Sequence, residues 1–353
     1  MTISAFDHPI LSSLLGDEEI AAAFSVDADI EAMLAFEAAL ARAEASAGLI
    51  SAEAAARIAD VCATLSPDIA TLAKGTARDG VVAPALIKLL RAAVGENHAA
   101  EVHRGATSQD VIDTSLVLRL KGVVALFEAR LEGLVAALRA LEREQGGVPL
   151  MGRTRMQRAL PIPAAEKLAN WRAPLERHRA RLDELKPRLL VAQFGGAAGA
   201  RDGLDDKGDK VAAELARLLA LGEGPCWHVQ RDGLTEFASW LSLVSGSLGK
   251  IGADVAIMTQ NEIGEIRLAE SGGSSAMPHK QNPVRAEVLV TLARFNAALL
   301  AGMHQALVHE NERSGAAWTL EWLILPQMAA AAGASLRHAG ALIEGLRFVA
   351  AKA

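Results

Sequence analysis

Tyrosine is absent from the 353 residues, and aromatic side chains make up only 4% of them. A chain so poor in flat rings offers no stacking platform for single-stranded nucleic acid. Its net charge of −6 gives no general attraction to nucleic acid or to anionic lipid. Neither a nucleic-acid nor a membrane partner is therefore expected. Cysteine is nearly as scarce. Cys62 and Cys226 stand far apart and in no CxxC or His/Cys cluster, which predicts two reduced thiols, with no disulfide framework and no metal site. The segment Met1–Gly16 lacks the basic start and apolar core of a secretory signal, and no uncharged apolar run is as long as a membrane span. A cytoplasmic location is the expectation.

What is present is mostly aliphatic. Hydrophobic residues make up 51% and charged ones 22%, with alanine dominant, a composition suited to closely packed helices. The length allows two domains and a large core. Apolar periodicity predicts a helix from Asp27 to Ala47, with Ile30, Met33, Leu34 and Leu40 on one face and Gly48 as its stop. Ser51 caps a second helix, and Pro84 to Val94 forms another, ended by Gly95. The stretch Lys74–Gly80 between them reads as a loop. From Ser108 to Glu144 runs one apolar-periodic segment, which at 1.5 Å per residue is about 55 Å of helix. Four more long helices follow, over about 163–191, 234–262, 283–308 and 318–347, the last disturbed early by Pro326. No strand-like alternation is visible. The fold class is all-α: a smaller N-terminal helical domain over 1–100, then an elongated bundle of about five long helices over 101–353. Several of these helices carry apolar residues on more than one face, as a bundle does when it also packs against other subunits.

Three polar islands interrupt the aliphatic background. The first is His103-Arg104-Gly105-Ala106-Thr107-Ser108-Gln109-Asp110, directly before the first long helix. Thr107 or Ser108 can cap that helix, and the same free amides and hydroxyls can hold an anion. The second is Gly152-Arg153-Thr154-Arg155-Met156-Gln157. The third is Gly272-Gly273-Ser274-Ser275-Ala276-Met277-Pro278-His279-Lys280-Gln281-Asn282-Pro283. Its glycines let backbone amides approach a bound group, and its prolines forbid a helix. Serine hydroxyls, the Lys280 ammonium and the Asn282 amide in one loop could hold a carboxylate and move a proton beside it.

The third island resembles the GSSxMPxKxNP loop of the fumarase/aspartase superfamily, whose members make and break C–O or C–N bonds beta to a carboxylate. The first resembles that superfamily's HxGxTSQD motif, and the second its GRTHxQ pattern. Within the superfamily the chain is most similar to the bacterial 3-carboxy-cis,cis-muconate cycloisomerase family, with the adenylosuccinate lyases as nearest rival. The resemblance runs from about Asp27 to the C-terminus. It implies an enzyme of protocatechuate (β-ketoadipate) breakdown that acts on a small polycarboxylate without a cofactor. It also implies a homotetramer with active sites shared between subunits. The third helical domain that superfamily chains usually add at the C-terminal end is expected to be absent here.

Carried over residue by residue, the resemblance makes Ser274 or Ser275 the group that transfers the proton, with Ser274 favoured. It places His103 facing the substrate and gives carboxylate binding to Thr107, Ser108, Thr154, Gln157, Lys280 and Asn282. Glu287, on the next helix, either orients His103 or faces solvent, and Arg313 is an extra cation for a tricarboxylate. One departure is informative. Arg155 stands where the lyases usually carry a histidine that does acid–base chemistry, and arginine cannot give up its proton at working pH. A lactonisation does not need that base, because the attacking carboxylate is already an anion. The absence of purine-stacking tyrosines and of a phosphate loop counts against adenylosuccinate lyase. A non-catalytic helical scaffold, like the lens crystallins of this superfamily, is the remaining alternative, and retention of His103, Ser274, Lys280 and Asn282 speaks against it. The segment His309-Glu310-Asn311-Glu312-Arg313 is not HExxH, so no zinc is expected there.

Overall fold

The computed structural model describes residues 3–273, 277 and 280–351. Among them are twelve α-helices and two small two-stranded sheets. Two short helices, α1 (Ser12–Leu15) and α2 (Glu18–Ala23), lead into α3 (Val26–Ser46), where the Ser25 hydroxyl accepts the Ala28 amide at 3.2 Å. Helix α4 (Ala52–Cys62) starts at Ser51, whose hydroxyl accepts from Ala54 N at 3.0 Å. Helix α5 (Ile69–Asp79) corrects the expected loop over Lys74–Gly80. Leu72 and Gly75 face inward there, and Gly75 allows an approach so close that a Cβ would lie 2.5 Å from the Ala85 Cβ. The helix stops at Gly80, whose φ of 76° is left-handed. Helix α6 (Ala83–Val94) ends at Gly95, with φ 96°.

The long helices then follow. Helix α7 (Ser108–Gln145) runs for 38 residues, and α8 (Ala164–Leu189) for 26. A shorter α9 (Gly208–Leu219) precedes α10 (Asp232–Met258), α11 (Val284–Gln305) and α12 (Gly315–Glu344). These are the five long helices expected. Pro326 does not break α12, which continues through it for 30 residues.

The expectation of no strands is corrected. Strands β1 (Pro149–Thr154) and β2 (Gln157–Pro163) form an antiparallel hairpin between α7 and α8. A second pair, β3 (Ile266–Leu268) and β4 (Leu346–Phe348), ties the end of α12 back to the segment after α10. Thr154 pairs with Gln157, so the first hairpin turns on two residues, Arg155 and Met156, at φ 46° and 67°. That tight turn is normally announced by Asn-Gly or Gly-Gly, and an Arg-Met turn gives no such signal.

Apolar side chains collect in two main clusters. One is built from α7, α8, α10, α11 and α12, and includes Phe127, Trp171, Phe237, Trp240 and Met328. The other joins α3, α4 and α6 to Phe194, Leu204 and the inner face of α9. Helix α7 serves both, with Val111 in the second cluster and Leu120 to Leu141 in the first. Helices α10 and α11 are pressed together at glycines: a Cβ on Gly252 would sit 2.4 Å from the Ala286 carbonyl oxygen, and one on Gly249 2.5 Å from the Ala293 Cβ. By length and composition alone both helices could cross a membrane, yet α10 packs against α8, α11 and α12 as a bundle helix does. Only 50% of the apolar window of α10, and 33% of that of α11, is buried within one chain.

Candidate functional site at the two ends of the longest helix

The N-terminal end of α7 is held by Asp110. Its Oδ2 accepts from the amides of Thr107 and Gly196, each at 2.9 Å. Its Oδ1 accepts from Gly195 N at 2.8 Å and lies 2.8 Å from His228 Nε2. Burial alone would lower the His228 pKa, but the bond to Asp110, with Cys226 alongside, carries it up to about 9. Asp110 is thereby spent on architecture: it caps the helix and pins the glycine loop after α8 across it. Thr107 and Ser108 stay half-buried at the mouth of the helix, where its positive end and free amides suit an anion.

His103 sits just before this turn with a left-handed φ of 60°, a strained state for a residue other than glycine. Its Nδ1 lies 2.6 Å from Oε1 of Glu37, on α3. Burial by itself would push the His103 pKa down, and the charge and hydrogen bond of Glu37 override that, so it lies above the ordinary histidine value. Arg313 joins the same end of α7. Its Nε donates to Gln109 Oε1 at 2.9 Å and its Nη2 to the Ala197 carbonyl at 3.1 Å. Gln109, fully buried, in turn donates from Nε2 to the His228 carbonyl at 2.8 Å.

One turn further along α7 lies a wholly buried ionic knot. Arg231 donates to both oxygens of Asp113, at 2.6 and 3.1 Å, and to Glu321 of α12, while its guanidinium carbon is 4.8 Å from the Trp227 ring centre. Trp318 Nε1 adds a 2.9 Å bond to Asp113. The tryptophans and charges of the 227–232 and 318–322 stretches thus join α7, α10 and α12 beneath the polar turn.

The second island is at the other end of the same helix. Arg153 makes two bonds to the buried Glu265 carboxylate, at 2.8 and 3.0 Å, which tether β1 to the segment after α10. Thr154, Arg155 and Gln157 are all exposed on the hairpin tip. In the third island, Gly272 and Asn282 exchange backbone bonds of 2.8 and 2.9 Å, and Asn282 Nδ2 donates to the Gly273 carbonyl at 3.1 Å. The loop is closed at its base, with Lys280 exposed on it. Glu287 is exposed in the first turn of α11. Ser274 and Ser275 lie outside the described residues.

Within one chain, then, His103, Thr107, Ser108 and Arg313 gather at one end of α7. Thr154, Arg155 and Gln157 follow the other end, after 38 helical residues, or about 57 Å. Lys280 and Asn282 stand on a separate loop before α11. Sequence reasoning missed Glu37, Gln109 and His228 as parts of the arrangement. For Glu37 a signal existed: Glu37 and Glu44 fall seven residues apart among the apolar residues of α3, where a carboxylate has no reason to be unless something meets it.

A sequence profile of the lyase family matches residues 17–296. The chain belongs to that family. It is 45% identical over 333 residues to a 3-carboxy-cis,cis-muconate cycloisomerase of Pseudomonas aeruginosa, covering 92% of this chain and 72% of that protein. The crystal structure of the 3-carboxy-cis,cis-muconate lactonizing enzyme of Pseudomonas putida superposes with a TM-score of 0.91 at 42% identity, over 97% of this chain and 78% of that one. A fumarate lyase from a Mesorhizobium species superposes with a TM-score of 0.90 at 36% identity, over 96% of this chain and 78% of its own. The lyase fold of these relatives is the bundle described above.

Proposed function

We propose that the protein is an intramolecular lyase that converts 3-carboxy-cis,cis-muconate to 4-carboxymuconolactone, in the breakdown of aromatic compounds. The observation that carries this reading is Arg155 at the hairpin tip. A guanidinium there can bind a carboxylate but cannot serve as a base. In the proposed reaction no base is needed. A carboxylate oxygen of the substrate attacks its own double bond, a C–O bond forms, and the electron pair moves toward the carbon alpha to another carboxyl. That carbon takes one proton, and nothing leaves. The protein has to supply one acid and enough cations and amides to hold the charge that builds up.

In this reading Ser274, or else Ser275, donates the proton forward and removes it in reverse. Thr107 and Ser108 at the positive end of α7 bind one carboxylate, with His103 and Arg313 beside them. Thr154, Arg155 and Gln157 bind a second, and Lys280 and Asn282 a third. In this reading these groups come together between copies of the chain, which the separation of two of them by the whole length of α7 supports. The partly covered apolar windows of α10 and α11 supply a surface for that association. A cytoplasmic homotetramer is the proposed form.

The test is to mix purified protein with 3-carboxy-cis,cis-muconate, and separately with adenylosuccinate, and to follow each ultraviolet spectrum. Loss of the diene with formation of the lactone is expected. Fumarate release without lactonisation would assign the intermolecular elimination instead. The variant Ser274→Ala is expected to lower turnover by about a thousandfold or more while leaving the circular dichroism unchanged. A near-normal rate would transfer the role to Ser275.

A further inference from the structure

His103 is placed in the site by motif, but its state is set from behind, by α3. We propose that Glu37 is a positioning residue: it holds His103 as an imidazolium, so that the ring offers the substrate a fixed positive charge and an N–H and never accepts a proton. The inference rests on the reading above that His103 faces the substrate.

Four observations carry it. First, Glu37 is 1% exposed, and among the described residues its sole ionic partner is His103. A carboxylate sealed from water needs a counter-charge, and no Lys or Arg among the described residues is paired with it. Second, the spare proton is already accounted for. Glu44, two turns along the same face of α3, is fully buried with neither carboxyl oxygen bonded among the described residues, and burial followed by the charge of Glu37 raises its pKa to about 8. The two carboxyls stand on one buried face of α3; Glu44 stays neutral at pH 7, and Glu37 is the one of the two with an ionic partner in contact, at 2.6 Å. Third, the surroundings agree. Asp110 from α7 adds to the pull of Glu37 on His103, Arg91 from α6 opposes it, and the Cys62 thiol of α4, pushed up to about 12 by burial and by Glu37, contributes no charge. Around Glu44, Arg104 favours the charged form and Glu101 disfavours it.

Fourth, the loop is fixed in register with α3. Arg104 Nη1 donates to the Leu49 carbonyl at 2.8 Å, one residue from His103, and Gly105 follows with φ 64° against the Leu204 side chain. With Nδ1 committed to Glu37, Nε2 at the opposite edge of the ring has no partner among the described residues, and the side chain keeps 12% of its surface open. A ring anchored on one nitrogen by a buried carboxylate is oriented and charged at once.

The test has two arms. In the first, histidines are labelled with 13C, His103 is assigned by the signal lost in His103→Gln, and it is titrated in the wild type and in Glu37→Gln without substrate. Wild-type His103 is expected to titrate above the ordinary histidine value of about 6.5, and Glu37→Gln to bring it back toward or below that value. A neutral His103 at pH 7 in the wild type, which needs no variant, would overturn the proposal, and so would an unchanged titration in Glu37→Gln. In the second arm, kcat and KM for the tricarboxylate are measured from pH 6 to 8. Glu37→Gln is expected to have a lower kcat/KM than the wild type, mainly through KM and by a wider margin as pH rises, and Glu37→Asp to recover most of the difference. A Glu37→Gln variant with the wild type's kcat/KM throughout would show that the charge is not used, and would also overturn the proposal. The first arm uses no substrate, so a failure of the cycloisomerase reading leaves it standing on its own.

Discussion

Asp110 and His228, 118 residues apart in the chain, meet at 2.8 Å inside the protein, and the carboxylate has three backbone amides as well. Asparagine at this position would present an NH2 to donors that need an acceptor. Asp110→Asn is expected to lower the unfolding free energy by about 3–5 kcal/mol, as removal of one partner of a buried pair does. The sign of the pH effect follows from His228, whose folded pKa of about 9 exceeds its unfolded value. The pair stabilises fully below about pH 6.5, and that share is lost as pH rises through about 9. Urea midpoints should therefore show the gap between variant and wild type narrowing over that window, and a gap independent of pH would refute the assignment.

Glu44 moves stability in the same direction, over a lower pH window. Its folded pKa of about 8 lies above the ordinary carboxyl value of 4.5, so the folded state binds more protons than the unfolded one between those limits. Stability should fall as pH rises from about 4.5 to about 8 and then level off, by at most roughly 1.4 kcal/mol per pH unit from this group. Glu44→Gln is expected to match the wild type near pH 4.5 and to exceed its thermal midpoint at pH 8.5. Equal midpoints at both would mean that the carboxyl is not held neutral.

Gly252 faces the Ala286 carbonyl oxygen, a backbone atom that cannot swing aside. Gly252→Ala would have to push α11 away from α10, at a cost of about 1–3 kcal/mol or more. Because α11 begins just after the Lys280 loop, a rise in KM for the tricarboxylate should accompany the lower urea midpoint. A variant as stable and as active as the wild type would disprove so close a contact.

Arg155→His restores the residue that the intermolecular lyases use. It is expected to leave lactonisation no faster, because a base at the hairpin tip has no proton to take. A large gain in kcat would show that the attacking carboxylate needs help after all.

The five long helices and most of the caps were legible in the sequence, because an apolar face of period 3.6 and a serine or glycine at each end are local signals. Ser51, Gly95 and the start of α7 at Ser108 were read correctly for that reason. The hairpin at Pro149–Pro163 was not. Strand β2 is exposed along nearly all its length and β1 is mostly half-buried, so neither shows alternation, and β1 is tethered through Arg153 to Glu265, a partner 112 residues away. The helix over Lys74–Asp79 was missed because Gly75 looks like a loop residue until Ala85 is seen packed against it. The three polar islands could be picked out because each is a contiguous run. Glu37, Gln109 and His228 could not, since each matters only through a residue brought to it by folding.

In the proposed assembly the unbroken length of α7 would make activity a collective property of the protein. If each site borrows one end of this rod from one copy and the other end from a neighbour, dilution to free monomers should abolish turnover without unfolding a single helix. Two inactive variants, one altered at Thr107 and one at Gln157, should also regain part of the rate when dissociated and reassembled together, since some of the mixed sites would draw only intact ends.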